Sequence, residues 1–473
     1  MLLKKAEIRR FSDPSRRKRA RERFSCAKTL SGISRPIRKR DLILYKYVIN
    51  GGNVLRGTVA VSGFKNAADG ILPAAIMCGE PIRIENIPCI RDVLLWFDIF
   101  REMGVSVKTL NDHAFEINAS SVYTGNPPFE HMRNMRASYY LLGALLSRFG
   151  KALVSLPGGC DFGDRPIDQH IKAFEAMGAT IEVKGGVITA ETPDGKLHGA
   201  HIYFDVITVG GTINAMLGAT LAEGTTILEN CAREPHIVDV ANFLNSMGAD
   251  IRGAGTNVIK IRGVNSLHSC SYAIIPDQIE AGTYMVIAAA TGGDLTITGV
   301  IPKHLESITV KLREAGVTVE EFDDSIRVTR TGKLRRTNVK TLEYPGFPTD
   351  MQPQFAAMLC LADRPSTVTE SIFVSRFKYT SELKRMGARI HVDGKVATIE
   401  PVKELTGAVV RACDLRAGAA MIVAGLAARG TTEIEDVVYV ERGYEDIVGK
   451  LRAVGADISR VRVDPPTGAL SAI

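Results

Sequence analysis

No apolar run in this 473-residue chain reaches the ~18 to 20 residues needed to cross a bilayer, and its N-terminus has no compact apolar stretch of the secretory kind. These absences predict a soluble protein of the cytoplasm. The cysteines, at positions 26, 78, 89, 160, 231, 270, 360 and 413, show no short paired spacings, which argues for reduced thiols and against a disulfide framework. Neither a CxxC nor an HExxH spacing occurs, so no metal site and no cofactor are expected. The formal charge of +7 is uneven: residues 1–40 hold 15 Lys or Arg against Glu7, Asp13 and Glu22, a local +12 that leaves −5 for the rest. Residues 1–44 read as a basic extension without a fold of its own, or as residues upstream of the true start. A nucleic-acid or anionic-membrane arm is disfavoured because the remainder is mildly acidic and carries no basic stripe. Residues 461–473 read as a C-terminal tail.

What is present is a repeat. An apolar strand-like run leads into a helix-like segment that ends at Met103-Gly104, Met177-Gly178, Met247-Gly248, Ala315-Gly316, Met386-Gly387 and Val454-Gly455. The glycines are spaced by 74, 70, 68, 71 and 68 residues, a unit of about 70 repeated six times. Glycine just past the last helical turn is the residue that tolerates a left-handed backbone. Half a repeat away lies a second junction, where a strand-like run meets a helix rich in small residues. These are Lys65-Asn66-Ala67-Ala68, Arg136-Ala137-Ser138, Gly210-Gly211-Thr212, Ile279-Glu280-Ala281-Gly282, Asp350-Met351-Gln352 and Arg416-Ala417-Gly418-Ala419. Each unit reads as strand, helix, strand, helix, strand.

Helices such as 419–428 are too apolar to keep a polar face, so they must be buried on nearly all sides. A doubly wound sheet would instead put amphipathic helices outermost. The pattern predicts sheets outside and helices inside: two inside-out α/β barrel domains of three units each. With 45% hydrophobic residues the chain can fill two such cores. The divisions are 65–274 for the first domain, and 45–64 with 275–460 for the second.

The first turn of a buried helix offers unpartnered N–H groups and a positive dipole end, so these junctions favour anions. Lys65, Arg136, Arg376 and Arg442 stand there as bare cations, with Arg416 and Arg91 as further candidates. Any one of them alone reads as a solvated surface charge; recurrence in register favours a site. Leu156–His170 interrupts a unit with Gly and Pro, placing the Cys160 thiol beside Arg165 and ahead of a helix starting near Asp168. A lone Cys is usually a buried apolar residue, but a Gly-rich polar loop near a helix N-terminus is where thiols react. Asp161 and Asp164 oppose a thiolate, so its resting charge stays open. Asp350 is equally open, as a helix cap or as a base.

These residues carry a resemblance. Ser62-Gly63-Phe64-Lys65-Asn66-Ala67-Ala68, Met135-Arg136-Ala137-Ser138, Pro157-Gly158-Gly159-Cys160, Arg165-Pro166-Ile167-Asp168, Phe347-Pro348-Thr349-Asp350-Met351-Gln352, Asp414-Leu415-Arg416-Ala417 and Glu441-Arg442-Gly443-Tyr444 resemble the UDP-N-acetylglucosamine enolpyruvyl transferases over about residues 46–460. The resemblance implies the enolpyruvyl transferase fold, and transfer of enolpyruvyl from phosphoenolpyruvate to the 3-hydroxyl of UDP-N-acetylglucosamine in peptidoglycan synthesis. It implies that Lys65, Arg165 and Arg442 contact phosphate, that Arg136, Arg376 and Arg416 serve anion binding and closure, and that Asp350 faces the hydroxyl. It further implies that Cys160 is the acid and the residue fosfomycin alkylates, that Asn66 and Thr349 bond the acceptor, and that Asp414 orients Arg416. Arg165, Pro166, Ile167, Asp168, Gln169 and His170 line the uracil pocket, and Ile372 completes the substrate set. Six cations at one mouth imply an apo state that closes on substrate, and the protein is expected to be a monomer or weak homo-oligomer without nucleic-acid partners. The shikimate-directed relatives lack the cysteine loop, so Cys160 weighs against them; a paralogue using another acceptor, such as a nucleoside, is the competing enzyme reading. Phe64, Asp69 and Asp161 depart from the family pattern.

Overall fold

A computed structural model describes residues 44–122, 132, 135–156 and 167–463 of the chain. The expectations for residues 1–43, Cys160, Asp161, Arg165, Pro166 and residues 464–473 lie outside these. The six repeat glycines take φ of 85, 90, 99, 81, 91 and 98° at Gly104, Gly178, Gly248, Gly316, Gly387 and Gly455, the left-handed geometry that ends a helix at low cost. In the same way, each half-repeat junction begins a helix or a 3-10 turn.

The first half holds helices α1 (Lys65–Ala75), α2 (Arg91–Glu102), α3 (Tyr140–Phe149), α4 (Asp168–Ala176), α5 (Val209–Thr220) and α6 (Pro235–Ser246). The second holds α7 (Gln278–Thr291), α8 (Glu306–Glu314), α9 (Gln352–Leu359), α10 (Tyr379–Arg385), α11 (Leu415–Ala427) and α12 (Ile447–Ala453). Helices α1, α3 and α5 pack on one another, as do α7, α9 and α11. Every residue of α11 from Arg416 to Leu426 is buried. Small residues permit the close approach: a Cβ on Gly143 of α3 would sit 2.4 Å from Asn214 Oδ1 and 2.5 Å from the Asn214 carbonyl of α5. The starts of three central helices are capped, by Thr208 on α5, Asp277 on α7 and Asp414 on α11.

Around these helices lie six sheets among the described residues, five of four strands and one of three. Five of the six units end in an antiparallel hairpin, for example Arg389–Asp393 with Val396–Glu400. The expectation of a single closing strand is therefore corrected to two in those five units, while the sixth closes on the single strand Asp457–Val463. The second strand is short and half exposed, and follows a tight turn such as that at Gly394 (φ 53°), so it leaves little apolar signal.

Three sheets are completed from far along the chain. Strand β1 (Leu44–Asn50) pairs antiparallel with Thr431–Glu435 and with Asp457–Val463. Strand β2 (Arg56–Ala60) pairs parallel with Asp294–Thr298, whereas Ser271–Ala273 pairs parallel with Ile82–Glu85. The Leu44–Val463 pairing carries regular structure into residues read from sequence as extension and tail, because each strand supplies the other's ladder partners. Among the described residues, cysteines 78, 231, 270, 360 and 413 carry free thiols.

Candidate active site

On α1, Lys65 and Asp69 lie one turn apart and share a face; on α2, Asp92 and Trp96 do the same. The two pairs interlock. Lys65 Nζ reaches Asp69 Oδ2 at 2.7 Å and Asp92 Oδ2 at 3.0 Å, while Trp96 Nε1 donates to Asp69 Oδ1 at 3.1 Å. Arg442, closing the 3-10 segment Val437–Arg442 of the second half, grips the other side of Asp92: Nε donates to Oδ1 at 2.8 Å and Nη2 to Oδ2 at 3.2 Å. Burial works against the Lys65 charge, but Asp69 and Asp92 outweigh it and hold the ammonium above its ordinary range. Burial likewise disfavours the Asp92 carboxylate, and Lys65 with Arg442 reverse this and hold it ionised below the ordinary range.

Two residues further on, Tyr444 joins the three central helices of the second half. Its hydroxyl lies 2.8 Å from Thr283 Oγ1 of α7 and accepts from Gln354 Nε2 of α9 and Arg416 Nη1 of α11, each at 3.3 Å. Arg416 then meets Asp350: Nε and Nη2 donate to Oδ2 at 3.2 and 3.0 Å, and Arg376 Nη2 donates to Oδ1 at 2.8 Å. One carboxylate thus serves two guanidinium groups that are only 2% and 3% exposed. His236, the second residue of α6, feels both groups. Burial pushes its imidazole down to about 4, Asp350 opposes this and Lys65 adds to it, so the ring is neutral at pH 7. Phe64 packs edge-on against it at 5.2 Å. Cations from both halves therefore surround two carboxylates, an arrangement able to bind a ligand with two anionic ends.

The family model described as EPSP synthase (3-phosphoshikimate 1-carboxyvinyltransferase) matches residues 49–451. UDP-N-acetylglucosamine 1-carboxyvinyltransferase 3 of Caldanaerobacter subterraneus subsp. tengcongensis is 57% identical over 417 residues, 88% of this chain and 99% of its own. The chain belongs to the UDP-N-acetylglucosamine 1-carboxyvinyltransferase family. The Clostridium botulinum member is 54% identical over 88% of this chain and all of its own. Among solved structures, the enolpyruvyl transferase NikO from Streptomyces tendae aligns with a TM-score of 0.80 at 28% identity, over 89% of this chain and all of its own. EPSP synthase from Acinetobacter baumannii aligns at 0.69 and 19% identity, over 88% of this chain and all of its own, and shares the fold.

Of the residues that resemble the 1-carboxyvinyltransferase set, the structure brings together Lys65 and Arg442 through Asp92, and Arg376 and Arg416 through Asp350. The reading of these cations as bare is corrected: carboxylates already offset their charge, because helices distant in sequence supply them. Asp350 does not cap α9: it lies inside the 3-10 turn Thr349–Met351, and Met351 holds the N-cap position of α9. Asp414 caps α11, accepting from the backbone N–H of Arg416 at 2.7 Å and Ala417 at 2.9 Å.

Thr349 Oγ1 donates to Glu370 Oε2 at 2.8 Å, and Glu370 also accepts from the Ile372 N–H at 2.8 Å, so one fully buried carboxylate fixes both. Asn66 is half-buried in the first turn of α1, and Arg136 opens a 3-10 turn before α3. Ile167 is the N-cap residue of α4, with Asp168, Gln169 and His170 following. Gln169 donates to Asp168 and Asp205, and His170 Nδ1 accepts from Asn214 Nδ2 at 3.0 Å, leaving Nε2 beside Gly210. Sequence reasoning missed Asp92, Trp96, His236 and Glu370. A signal existed for Asp92, which stands next to the flagged Arg91 in a first helical turn, where an acid is favoured.

Proposed function

We propose that this chain transfers the enolpyruvyl group of phosphoenolpyruvate to the 3-hydroxyl of UDP-N-acetylglucosamine with release of phosphate, the committing step of peptidoglycan synthesis. One observation carries the reading: four cations drawn from both halves gather around Asp92 and Asp350 in a chain 57% identical to a UDP-N-acetylglucosamine 1-carboxyvinyltransferase. Lys65, Arg165 and Arg442 receive the phosphate of phosphoenolpyruvate, and Arg136, Arg376 and Arg416 serve the remaining anionic groups and closure.

An uncharged alcohol is a weak nucleophile, so Asp350 takes the hydroxyl proton as the oxygen bonds to C2. The double-bond electrons take a proton at C3 from the Cys160 thiol. In the second step C3 returns a proton, the double bond re-forms and the C2–O bond to phosphate breaks. Asn66 and Thr349 hold the acceptor, and Pro166, Ile167, Asp168, Gln169, His170 and Ile372 line its nucleotide end. Residues 65–274 form one body, and 45–64 with 275–460 the other. Both substrates are metabolites of the cytoplasm, where the enzyme works as a monomer or weak homo-oligomer.

The test is phosphate release from phosphoenolpyruvate by the purified chain. Release is expected only when UDP-N-acetylglucosamine is supplied; release with a nucleoside or other hydroxyl acceptor and none with this one would overturn the substrate assignment.

A further inference from the structure

Asp69 is the departure from the family pattern that the reaction leaves unexplained. It stands 6% exposed on α1, where the neighbouring positions are apolar, and it is held twice, by Lys65 Nζ at 2.7 Å and by Trp96 Nε1 at 3.1 Å. Lys65 already has a second carboxylate, Asp92 at 3.0 Å, which also serves Arg442. Among the described residues the phosphate end therefore holds two cations against two carboxylates. Asp350 faces the guanidinium groups of Arg376 and Arg416. An anion arriving at Lys65 therefore meets an ammonium already flanked by two carboxylates, Asp69 and Asp92.

We propose that Asp69 is a positioning residue that acts through Lys65 as an internal counter-anion, weakening the hold of the site on a lone phosphate so that product phosphate leaves readily. Phosphoenolpyruvate meets the same charge at its phosphate, and its carboxylate adds contacts that offset the penalty and that inorganic phosphate does not have. The inference rests on the reading of Lys65 and Arg442 as the phosphate contacts. Trp96 fixes the carboxylate against the ammonium, and Asp92 keeps Lys65 in place when Asp69 is neutralised. Replacement by Asn retains an oxygen for the Trp96 N–H and changes chiefly the charge.

The experiment compares inorganic phosphate as a competitive inhibitor against phosphoenolpyruvate in the full-length enzyme, wild type and Asp69→Asn. Removing one negative charge beside Lys65 is expected to tighten phosphate by on the order of tenfold, with the KM for phosphoenolpyruvate falling in the same direction. Damage to the fold does not produce a gain in affinity. Trp96→Phe keeps the charge and is expected to change phosphate affinity by less than about twofold. Phosphate binding that is unchanged or weaker in Asp69→Asn overturns the inference. Lys65→Ala separates the two levels: if it leaves phosphate affinity unchanged, the assignment of the phosphate end fails. If it weakens phosphate while Asp69→Asn does not tighten it, only the role of Asp69 fails.

Discussion

Asp350→Ala removes the carboxylate shared by Arg376 and Arg416 and leaves two guanidinium groups, 2% and 3% exposed, facing each other without it. Breaking a buried ion pair by deleting one partner costs about 3–5 kcal/mol, most of it the desolvation of the charge left behind. Asp350 is itself 28% exposed, which moves the figure toward the lower end. If the second half melts as a unit of roughly 200 residues, about 3 kcal/mol lowers its Tm by on the order of 10 °C. The assay is a thermal melt of Asp350→Ala beside wild type, repeated with increasing inorganic phosphate. An added anion can take the vacated place between the arginines, so phosphate is expected to raise the Tm of the variant more than that of wild type. Turnover should fall by about 10²–10⁴-fold, the usual contribution of a positioned base. Asp350→Asn should melt between the two and remain as slow, because the amide keeps contacts but takes no proton. A variant melting within about 2 °C of wild type, with no added gain from phosphate, would refute the argument that this carboxylate neutralises the arginine pair.

Burial pushes Asp239 up to about 6, although it accepts the Tyr272 hydroxyl at 2.6 Å. A raised acid favours the folded state below its ordinary value near 3.8 and loses that contribution as pH climbs through 6, here about 3 kcal/mol. The Tm of Asp239→Asn minus that of wild type should therefore be more positive at pH 8 than at pH 4, and equal differences at both would contradict the assignment. Gly143→Ala drives a methyl group into Asn214 at the contact between α3 and α5 and should cost about 1–3 kcal/mol by urea titration, with neutrality refuting the close approach. Fosfomycin should add to Cys160 as seen by peptide mass spectrometry, and Cys160→Asp should keep turnover while escaping the drug; modification elsewhere would move the thiol out of the proposed chemistry.

The repeat, the helix ends and the helix starts were legible because each is written within a few neighbouring residues. Glycine past a last turn needs a left-handed backbone, and a helix of Ala, Gly, Ile and Met has no face to give to water. The cations were legible for the same reason, since Lys65, Arg376, Arg416 and Arg442 recur near equivalent junctions. Their partners were not. Asp92 meets Arg442 across 350 positions and Asp350 meets Arg416 across 66, and no local periodicity reports such distances. The hairpins that close five of the six units were missed because half-exposed strands alternate too briefly to register.

The chain by itself determined how many units there would be, where each helix would stop, and which positions would carry positive charge. Tertiary structure alone decided how that charge would be balanced, because packing α1 against α2 and drawing three helices onto Tyr444 places buried carboxylates within ion-pair distance of cations. Only there, away from water, does the distance between two charges govern whether each stays ionised.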